Sequence, residues 1–376
     1  MFTLPLAGFT FDTLLTLFQR TVLNPLPTGA LLLAALYTAR GREIAARRPK
    51  LFSWLKVLAG LGIYRKVNGF LDGAVTNNWS NDTYDWNKEI VVVTGGSDGI
   101  GALAVQMLAQ KGVTVVVLDI QPLQYTATPN VHYFHCDLAS PTAIAETAEA
   151  VRKHVGHPTV LINNAGFARG KTILETSESD LKLTFAINSL AHYYLAQAFL
   201  PHMVETNHGM VVTVASLAAY VTAPQLVDYS ASKAAALSFH EGLAAELKTV
   251  YKAPKVRTVA ICQGYTRTAL FEGFHAGDGF LQYALDPATV AGAIVDSVLA
   301  GKSAHVILPR ANANLMGLKG WALWLQVGLR GRQRKLMREW RGRQVAQPTE
   351  EAEKKEKEEK EEPKGIEESL FEEVKA

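Results

Sequence analysis

The chain of 376 residues has only two cysteines, Cys136 and Cys262, which excludes a disulfide-stapled scaffold. Two cysteines cannot supply a four-cysteine zinc site, and the sequence has no His-Glu-x-x-His or Cys-x-x-Cys pattern. Both cysteines lie at the ends of predicted strands, and we interpret them as buried thiols in a reducing compartment. No metal is expected in the functional site.

Net charge is also small. The formal value of +3 over the whole chain excludes a strongly basic nucleic-acid binder, and 48% hydrophobic residues exclude a wholly disordered chain. The charge is unevenly distributed, however, because residues 1–66 carry +7 and residues 310–349 carry +8, whereas 67–309 and 350–376 carry −6 each. Basic charge is therefore concentrated in two segments that flank an acidic central region.

Residues 1–66 have the pattern of a membrane anchor. Between Arg20 and Arg40 lie 19 residues without a charge, close to the roughly 20 that span a bilayer. The first basic residue is Arg20, so the basic start of a cleavable signal peptide is lacking. The basic cluster over 40–50 is expected on the cytosolic side of a membrane. A set of buried core helices is the alternative for 1–66.

The segment 51–64 is too short to span a bilayer and contains Lys56, so we predict a helix that lies in the membrane interface or re-enters it. Residues 67–87 are predicted to be a linker. This linker contains two glycosylation sequons, at 78–80 and 81–83, and glycosylation there would contradict a cytosolic location.

From residue 88 to residue 309, short apolar runs alternate with helical periods, which is typical of β-α-β units. β-branched residues dominate the runs, as expected for strands that are buried on both faces. The predicted strands are 89–94, 113–118, 131–136, 159–163, 210–215, 256–262 and 304–309. The predicted helices are 99–111, 141–154, 177–204, 229–251 and 287–300. We therefore predict an α/β fold with a doubly wound parallel sheet, of Rossmann type, in one domain.

Residues 310–349 change character again. An apolar stretch runs into basic residues that are interleaved with Trp321, Trp324 and Trp340, which favours an amphipathic segment on an anionic lipid surface over nucleic-acid binding. The last 27 residues, 350–376, contain 12 glutamates and 6 lysines, and they are predicted to be a disordered, solvating tail.

The first predicted strand runs into Thr-Gly-Gly-Ser-Asp-Gly-Ile-Gly at 94–101. Glycines in this position allow a tight turn and let the backbone approach a pyrophosphate closely. The phosphates would then lie at the N-terminus of the helix that begins near residue 99. A dinucleotide is expected to bind this turn through Gly95, Ser97, Asp98, Gly99, Ile100 and Gly101.

Asp119 lies at the end of the next strand, 24 residues after Gly95. A carboxylate there can accept hydrogen bonds from the adenosine ribose and would repel a 2′-phosphate. Asp98 adds a second negative charge nearby. Both predict NAD rather than NADP, with helix capping or a solvated charge as the alternative role of each aspartate.

Tyr229 and Lys233 are four residues apart at the start of a predicted helix, on one face and one turn from each other. A lysine ammonium there is expected to lower the pKa of the phenol. Such a tyrosine can take a proton from an alcohol, or give one to a carbonyl, as hydride moves to or from a nicotinamide. Ser216 ends the preceding strand, where its hydroxyl can bond to a substrate oxygen. A tyrosine–lysine pair by itself is usually a surface pair. The prediction therefore depends on finding this pair together with the glycine turn and Ser216.

Together these motifs resemble the short-chain dehydrogenase/reductase family over about residues 88–309. Asn-Asn-Ala-Gly at 163–166 and Asn188 in the long helix belong to the same pattern. The resemblance implies that Tyr229 is the acid/base and that Lys233 lowers its pKa and binds the nicotinamide ribose. It also implies that Ser216 orients the substrate.

By the same resemblance, Asn188 would hold a water in a proton relay; a satisfied core amide is the alternative. Asp137 would contact the adenine ring of the cofactor, and Thr268 would contact the carboxamide of its nicotinamide. The family usually has Pro-Gly after the sixth strand, whereas this chain has Gln263-Gly264, which leaves the geometry of that loop open. Further cofactor contacts are expected from Leu138, Asn164, Ala165, Gly166, Gly264 and Thr266.

The hydrophobic anchor and the acidic residue at position 119 narrow the resemblance. With them, the sequence is similar to the membrane- or lipid-droplet-associated branch of the family, which includes retinol dehydrogenases and 17-beta-hydroxysteroid dehydrogenase 11/13-like enzymes. This branch acts on lipophilic alcohols. The family places its substrate lid at residues 269–285. Apolar side chains there predict an apolar pocket, with ordinary helix packing as the alternative: Phe271, Phe274, Phe280, Leu281 and Tyr283.

The resemblance thus implies a membrane-associated, NAD-dependent enzyme that oxidises a retinoid, steroid or long-chain alcohol reversibly. The expected location is the endoplasmic reticulum or the lipid droplet, with the catalytic domain facing the cytosol. One alternative is an NADPH-dependent ketoreductase of the 3-ketosphinganine or acyl-dihydroxyacetone-phosphate type. Another is a non-catalytic membrane or lipid-droplet scaffold. The exact substrate and a homodimeric assembly are left open.

Overall fold

Seven parallel strands form one sheet in a computed structural model, which describes residues 8–274 and 283–342. The strand order is β3-β2-β1-β4-β5-β6-β7. The strands are β1 Ile90–Thr94, β2 Thr114–Asp119, β3 Val131–His135, β4 Val160–Asn163, β5 Met210–Val214, β6 Arg257–Gln263 and β7 Ala304–Leu308. Each lies within one residue of its predicted bounds, because unbroken β-branched runs leave little freedom in where a buried strand begins or ends.

Helices cover both faces of this sheet. The helices are α1 Phe11–Arg20, α2 Pro25–Tyr37, α3 Ala39–Arg47, α4 Pro49–Thr76, α5 Gly99–Ala109, α6 Pro141–His154, α7 Glu178–Phe185, α8 Ala191–Thr206, α9 Val227–Thr249, α10 Pro287–Leu299 and α11 Leu323–Arg332. Alternate residues of each strand point to opposite faces, so Val93 packs in a core with α5 and α10. Its neighbour Val92 packs with residues of α6, α8 and α9. The predicted doubly wound parallel sheet is confirmed.

The order of the strands fixes where a ligand can bind. The chain moves outward from β1 to β2 and β3, and then returns to place β4 on the other side of β1. Loops after β1 and after β4 therefore diverge at the carboxyl ends of these strands. That crevice is the usual binding position in open α/β sheets.

The N-terminal helices differ from the uninterrupted apolar run suggested by the sequence. Asn24 accepts a hydrogen bond from Leu26 N at 3.1 Å and begins α2, and Thr38 accepts one from Gly41 N at 3.0 Å and begins α3. These caps limit α2 to 13 residues. Over the described ranges 8–274 and 283–342, no helix combines the length and the apolar character needed to cross a membrane.

Helix α4 continues through Thr76, so residues 67–76 of the predicted linker are helical. The rest of this linker is held by hydrogen bonds at the amino ends of β5 and β6. The buried guanidinium of Arg257 donates to Asn77 O at 2.9 Å and to Ser80 O at 2.8 Å. Tyr84 donates its hydroxyl hydrogen to Gly209 O at 2.7 Å. These hydrogen bonds join the N-terminal helices to the domain that contains the sheet.

The C-terminal segment also contacts the N-terminal helices. Both carboxylate oxygens of Asp12 accept backbone hydrogen bonds at 2.7 Å, from Arg310 and Ala311. Asp12 thereby caps the 3₁₀ helix Arg310–Gly320, which precedes α11. Phe280, Leu281 and the predicted tail 350–376 lie outside the described residues.

Candidate active site

The turn between β1 and α5 is a cradle that only glycine can form. Gly95 has φ of +64°, and a Cβ there would lie 2.9 Å from Ala165 Cα. A Cβ at Gly101 would overlap Gly95 O and lie 2.6 Å from Asn164 Nδ2. Asp98 occupies the N-cap position of α5. A backbone this bare at a helix N-terminus fits the pyrophosphate of a dinucleotide.

Asn164 holds the cradle in place. Its side-chain amide donates to Thr94 O at 3.0 Å and to Gly95 O at 3.1 Å. The hydroxyl of Thr94 in turn accepts backbone hydrogen bonds from Asn164 at 3.0 Å and Ala165 at 3.1 Å. The ends of β1 and β4 are therefore tied together at the strand-order switch.

Asp119 forms the wall next to the cradle. One carboxylate oxygen accepts a hydrogen bond from Ser97 N and the other from Gln121 N, both at 3.0 Å. Ser97 also donates its hydroxyl hydrogen to Gln121 O at 2.7 Å. The carboxylate thus organises the loops on both sides while it lines the cavity.

Ser216, Tyr229 and Lys233 converge at the ends of β5 and α9, and all three are buried. The Ser216 hydroxyl donates to Gln263 O at 3.3 Å and accepts from Ala218 N at 3.1 Å. The Lys233 ammonium donates to Val214 O at 2.8 Å and lies 5.9 Å from the centre of the Tyr229 ring. The three groups predicted to carry the chemistry are therefore neighbours.

Burial dominates the electrostatics of this trio. It raises the pKa of Tyr229 to about 12, against a hydrogen bond with Ser216 that lowers the pKa. Burial also lowers the pKa of Lys233 to about 8. In the structure described, the pKa of the phenol is therefore raised and not lowered, because burial removes the phenolate from water. The contribution of Lys233 to this pKa stays a prediction.

Asn188 lies in a π-helical turn, Ala186–Leu190, that joins α7 to α8. Its side-chain oxygen accepts from Phe167 N at 2.8 Å, and its amide donates to Phe167 O at 2.8 Å and to the Ser232 hydroxyl at 3.0 Å. The side chain is thus a satisfied core amide, and a relay water would have to bond to the backbone of this turn. Such turns frequently occur at functional sites.

The loop after β6 keeps a regular geometry without the proline that is usual in the family. Gly264 N donates to Leu308 O at 2.7 Å, which extends the pairing of β6 with β7. The Thr266 hydroxyl donates to Gly264 O at 3.1 Å. A Cβ at Gly99 would lie 3.9 Å from the methyl group of Thr268, so this loop faces the glycine cradle.

A cavity of about 490 Å³ connects the cradle to Tyr229. Most of the predicted site residues line it: Gly95, Asp98, Gly99, Ile100, Gly101, Asp119, Leu138, Asn164, Ala165, Gly166, Ser216, Tyr229, Lys233, Gly264, Thr266 and Thr268. Ser97, Asp137 and Asn188 are not among the described residues that line it. Asp137 is buried, and one of its carboxylate oxygens accepts a hydrogen bond from Ala139 N at 2.8 Å; its contact with the adenine stays a prediction.

The far end of the cavity is apolar. The rings of Tyr229 and Phe271 meet edge to face with 5.5 Å between their centres, and Phe274 packs against Phe271 at 6.0 Å. Tyr283 also lines the cavity. The aromatic residues predicted at 269–285 are thus partly brought together here.

Sequence reasoning missed several of the residues that line the cavity, among them Arg169 and three residues of the C-terminal segment. Arg169, in the loop after β4, lines the cavity while its guanidinium donates to Asp180 at 3.0 Å. Leu329, Gln333 and Leu336 come from the C-terminal segment, which was predicted to contact lipid. An amphipathic pattern shows that one face is apolar but not whether lipid or protein covers it, so no local signal identified these residues.

The comparison with known proteins agrees with this geometry. A family model described as short chain dehydrogenase matches residues 89–278. Dehydrogenase RED2 of Cochliobolus heterostrophus is 41% identical over 198 residues, which cover 52% of this chain and 75% of that protein. Epidermal retinol dehydrogenase 2 of Homo sapiens is 32% identical over 250 residues, which cover 64% of this chain and 80% of that protein. Estradiol 17-beta-dehydrogenase 11 of Macaca fascicularis is 32% identical over 219 residues, which cover 56% of this chain and 72% of that protein.

Solved structures share the fold. A short chain dehydrogenase from Burkholderia cenocepacia in complex with NADP superimposes with a TM-score of 0.55 and 25% identity, covering 65% of this chain and 99% of that one. A 4-hydroxyisoleucine dehydrogenase complexed with NADH superimposes with a TM-score of 0.52 and 22% identity, and the match covers 58% of this chain and 96% of that one. Both cofactors thus occur among similar folds. The chain belongs to the short-chain dehydrogenase/reductase family, in the branch that includes epidermal retinol dehydrogenase 2 and estradiol 17-beta-dehydrogenase 11, and it is an NAD(P)-dependent oxidoreductase.

Proposed function

We propose that the protein is a membrane-associated oxidoreductase that moves a hydride between NAD and a lipophilic alcohol or carbonyl compound, with Tyr229 as the acid/base. The observation that carries this proposal is one cavity with the glycine cradle at one end, the Ser216–Tyr229–Lys233 trio in the middle and an apolar aromatic wall at the other end. The substrate class proposed is a retinoid, steroid or long-chain alcohol.

The cofactor preference rests on Asp119. The cradle would receive the pyrophosphate, and the Asp119 carboxylate would face the adenosine ribose, where it repels a 2′-phosphate. When bound, the nicotinamide accepts or supplies the hydride. Asp98, at the N-cap position of α5, adds a second negative charge near the same end. We therefore expect tighter binding of NAD than of NADP.

Proton transfer is assigned to the phenol of Tyr229. With a pKa raised to about 12 by burial, the phenol keeps its proton at neutral pH and can donate it to a substrate carbonyl. Ser216 would hold the same substrate oxygen. In the oxidative direction the phenol must first lose its proton, and the Lys233 ammonium would stabilise the resulting phenolate.

Membrane association is supported by exposed apolar side chains at both ends of the chain. In the N-terminal helices, Leu26 is 80% exposed and Trp54 is 65% exposed. In α11, Leu323 and Trp324 are 71% and 73% exposed, and the basic Arg330 and Arg332 lie in the last turn of that helix. Apolar side chains beside basic groups suit an anionic lipid surface. We place the protein on the cytosolic face of the endoplasmic reticulum or the lipid droplet.

The test is an assay of the full chain in lipid nanodiscs with NAD or NADP, across retinol, steroids, long-chain alcohols and sphingoid bases. Tyr229→Phe should reduce kcat by at least about a hundredfold, the lower range for general acid–base catalysis. Tyr251→Phe, at a surface tyrosine, is the matched control and should keep full activity. A fully active Tyr229→Phe variant would refute the assigned role of Tyr229. A strong preference for NADPH with a keto lipid would favour the ketoreductase alternative.

A further inference from the structure

Helix α1 lies outside the region matched by the family model, residues 89–278, yet its first turn contacts residues that line the cavity. This turn is well defined, because Thr10 N donates to the Thr13 hydroxyl at 3.2 Å and both threonines are buried. The prediction of a membrane anchor over residues 1–66 gave the turn no role in the cavity. Its contacts in the structure point to one.

Asp12, in this first turn, holds the start of the 3₁₀ helix Arg310–Gly320. Its two carboxylate oxygens accept hydrogen bonds from Arg310 N and Ala311 N, both at 2.7 Å. Hydrogen bonds to a carboxylate are roughly twice as strong as those between neutral groups. The residues on either side of this pair, Pro309 and Asn312, line the cavity. Asp12 therefore fixes a stretch of chain that belongs to the cavity wall.

This part of the wall lies beside the serine that was predicted to orient the substrate. A Cβ at Gly264 would lie 3.5 Å from Pro309 Cδ and 3.3 Å from Leu217 Cδ1. Leu217 directly follows Ser216 in the chain. Leu315, which also lines the cavity, packs against the apolar cluster that contains Leu217. The start of the 3₁₀ helix thus borders the Ser216 side of the cavity.

A second part of the wall meets the same carboxylate. Tyr283 lines the cavity, and its hydroxyl contacts the side chains of Thr10 and Asp12. Burial raises the pKa of Tyr283 and the Asp12 charge adds to this, so the phenol keeps its proton and can donate it to the carboxylate. Leu285 N donates to Tyr265 O at 2.8 Å, which joins this segment to the loop after β6. One carboxylate of α1 therefore contacts two separate stretches of the cavity wall.

We propose that Asp12 is a positioning residue of the substrate site, which holds Tyr283 and the start of the 3₁₀ helix at the spacing that an alcohol needs beside Ser216. The proposal deepens the proposed function and rests on it for the class of substrate. An amide cannot replace the carboxylate, because its nitrogen is a donor and would face one of the two backbone N–H groups. Asp12→Asn should therefore release one side of the wall while it keeps the size of the side chain.

The experiment measures the kinetics of the full chain in nanodiscs with NAD and dodecan-1-ol. Because a shift of about 1 Å by a distant mutation can cost roughly a hundredfold, Asp12→Asn should raise the KM for dodecan-1-ol at least about tenfold. The KM for NAD should stay at the wild-type value, since Asn164 and Asp119 hold the cradle. A variant that was merely unstable would contain less active enzyme, which lowers the apparent kcat and leaves both KM values unchanged.

Asp72→Asn is the matched control. Asp72 is an exposed aspartate of α4 whose side chain accepts a hydrogen bond from Asn68 at 2.8 Å. Its kinetics should equal those of the wild type. Tyr283→Phe keeps the ring and removes the hydroxyl, so it should also raise the KM for dodecan-1-ol. Its effect should be smaller in Asp12→Asn than in the wild type, because residues that act through one contact are not additive.

A further readout is independent of turnover. The amides of Arg310 and Ala311 should exchange hydrogen faster in Asp12→Asn than in the wild type or in Asp72→Asn, because they lose a partner. A folded Asp12→Asn variant with the wild-type KM for dodecan-1-ol, or with an equal rise in the KM for NAD, would overturn the inference.

Failure of the proposed function has a different signature. If the wild-type chain does not oxidise dodecan-1-ol, that function is weakened, and thermal unfolding with NAD and dodecan-1-ol decides the role of Asp12. Ligand binding stabilises the folded chain, so the rise in melting temperature reports affinity. Dodecan-1-ol should stabilise Asp12→Asn less than the wild type and Asp72→Asn, and equal stabilisation of all three would overturn the inference.

Discussion

Replacing Asp180 by asparagine tests how the loop after β4 is held beside the active site. The buried Asp180 carboxylate accepts hydrogen bonds from Arg169 Nε at 3.0 Å and Lys171 Nζ at 2.6 Å. It also accepts hydrogen bonds from the backbone N–H of Ser177 at 3.0 Å and from the Ser177 hydroxyl at 2.6 Å. Ser177 is the N-cap residue of α7. Arg169 lines the cavity and lies over the ring of Phe167, so one carboxylate connects this cavity-lining loop to a helix.

The size of the effect follows from burial and from the pKa. Burial alone would raise the pKa of Asp180, but the hydrogen bonds from Lys171 and Ser177 outweigh it and lower the pKa from 3.8 to about 2. That shift is worth roughly 2.5 kcal/mol of folding free energy, present above pH 3.8 and lost as the pH falls through about 2. Asp180→Asn also removes the carboxylate charge from the buried ion pair with Arg169, and breaking a buried ion pair costs about 3 kcal/mol. At 2–4 °C per kcal/mol, the melting temperature should fall by about 6–12 °C.

The assay is thermal unfolding of wild type, Asp180→Asn and the control Glu178→Gln from pH 7 down to pH 2. Glu178 pairs with Lys182 at 2.9 Å on the surface of the same helix, so its loss should cost less than about 1 kcal/mol. The difference in melting temperature between wild type and Asp180→Asn should become smaller in the acid range. Protonation there removes the charge from Asp180 in the wild type, just as the substitution does at neutral pH. A gap that is small at pH 7, or constant down to pH 2, would refute the assigned role of the buried ion pair.

Two further predictions concern the site itself. Lys233→Met should lose activity yet gain roughly 3 kcal/mol of stability at pH 7, because burial lowers the Lys233 pKa from 10.5 to about 8 and disfavours its charged form. This gain should shrink between pH 8 and pH 10.5, where the lysine of the folded wild type is already neutral, and thermal unfolding against pH measures it. Gly101→Ala should weaken dinucleotide binding at least tenfold by calorimetry, since its Cβ would overlap Gly95 O. The control Gly292→Ala has open space at its Cβ in α10 and should keep binding while gaining about 0.5–1 kcal/mol of stability; unchanged binding in Gly101→Ala would contradict the cradle.

The sequence predicted the features whose causes are local. β-branched runs bounded by turns located all seven strands, and the four-residue spacing of Tyr229 and Lys233 placed them on one face of α9. The glycine turn was recognisable because close backbone approach requires glycine at particular positions, such as Gly95 and Gly101. Each of these features depends on a few consecutive residues.

Tertiary structure decided the features that depend on surroundings. The pKa of Tyr229 is raised because segments that are distant in the chain bury the phenol. The ion pair of Arg169 with Asp180 and the contact of Met337 with the Tyr229 cluster join residues far apart in the chain. An amphipathic or charged pattern specifies that a side chain needs a partner. Only the folded chain determines which partner it meets, because burial and distance are set by how separate segments pack.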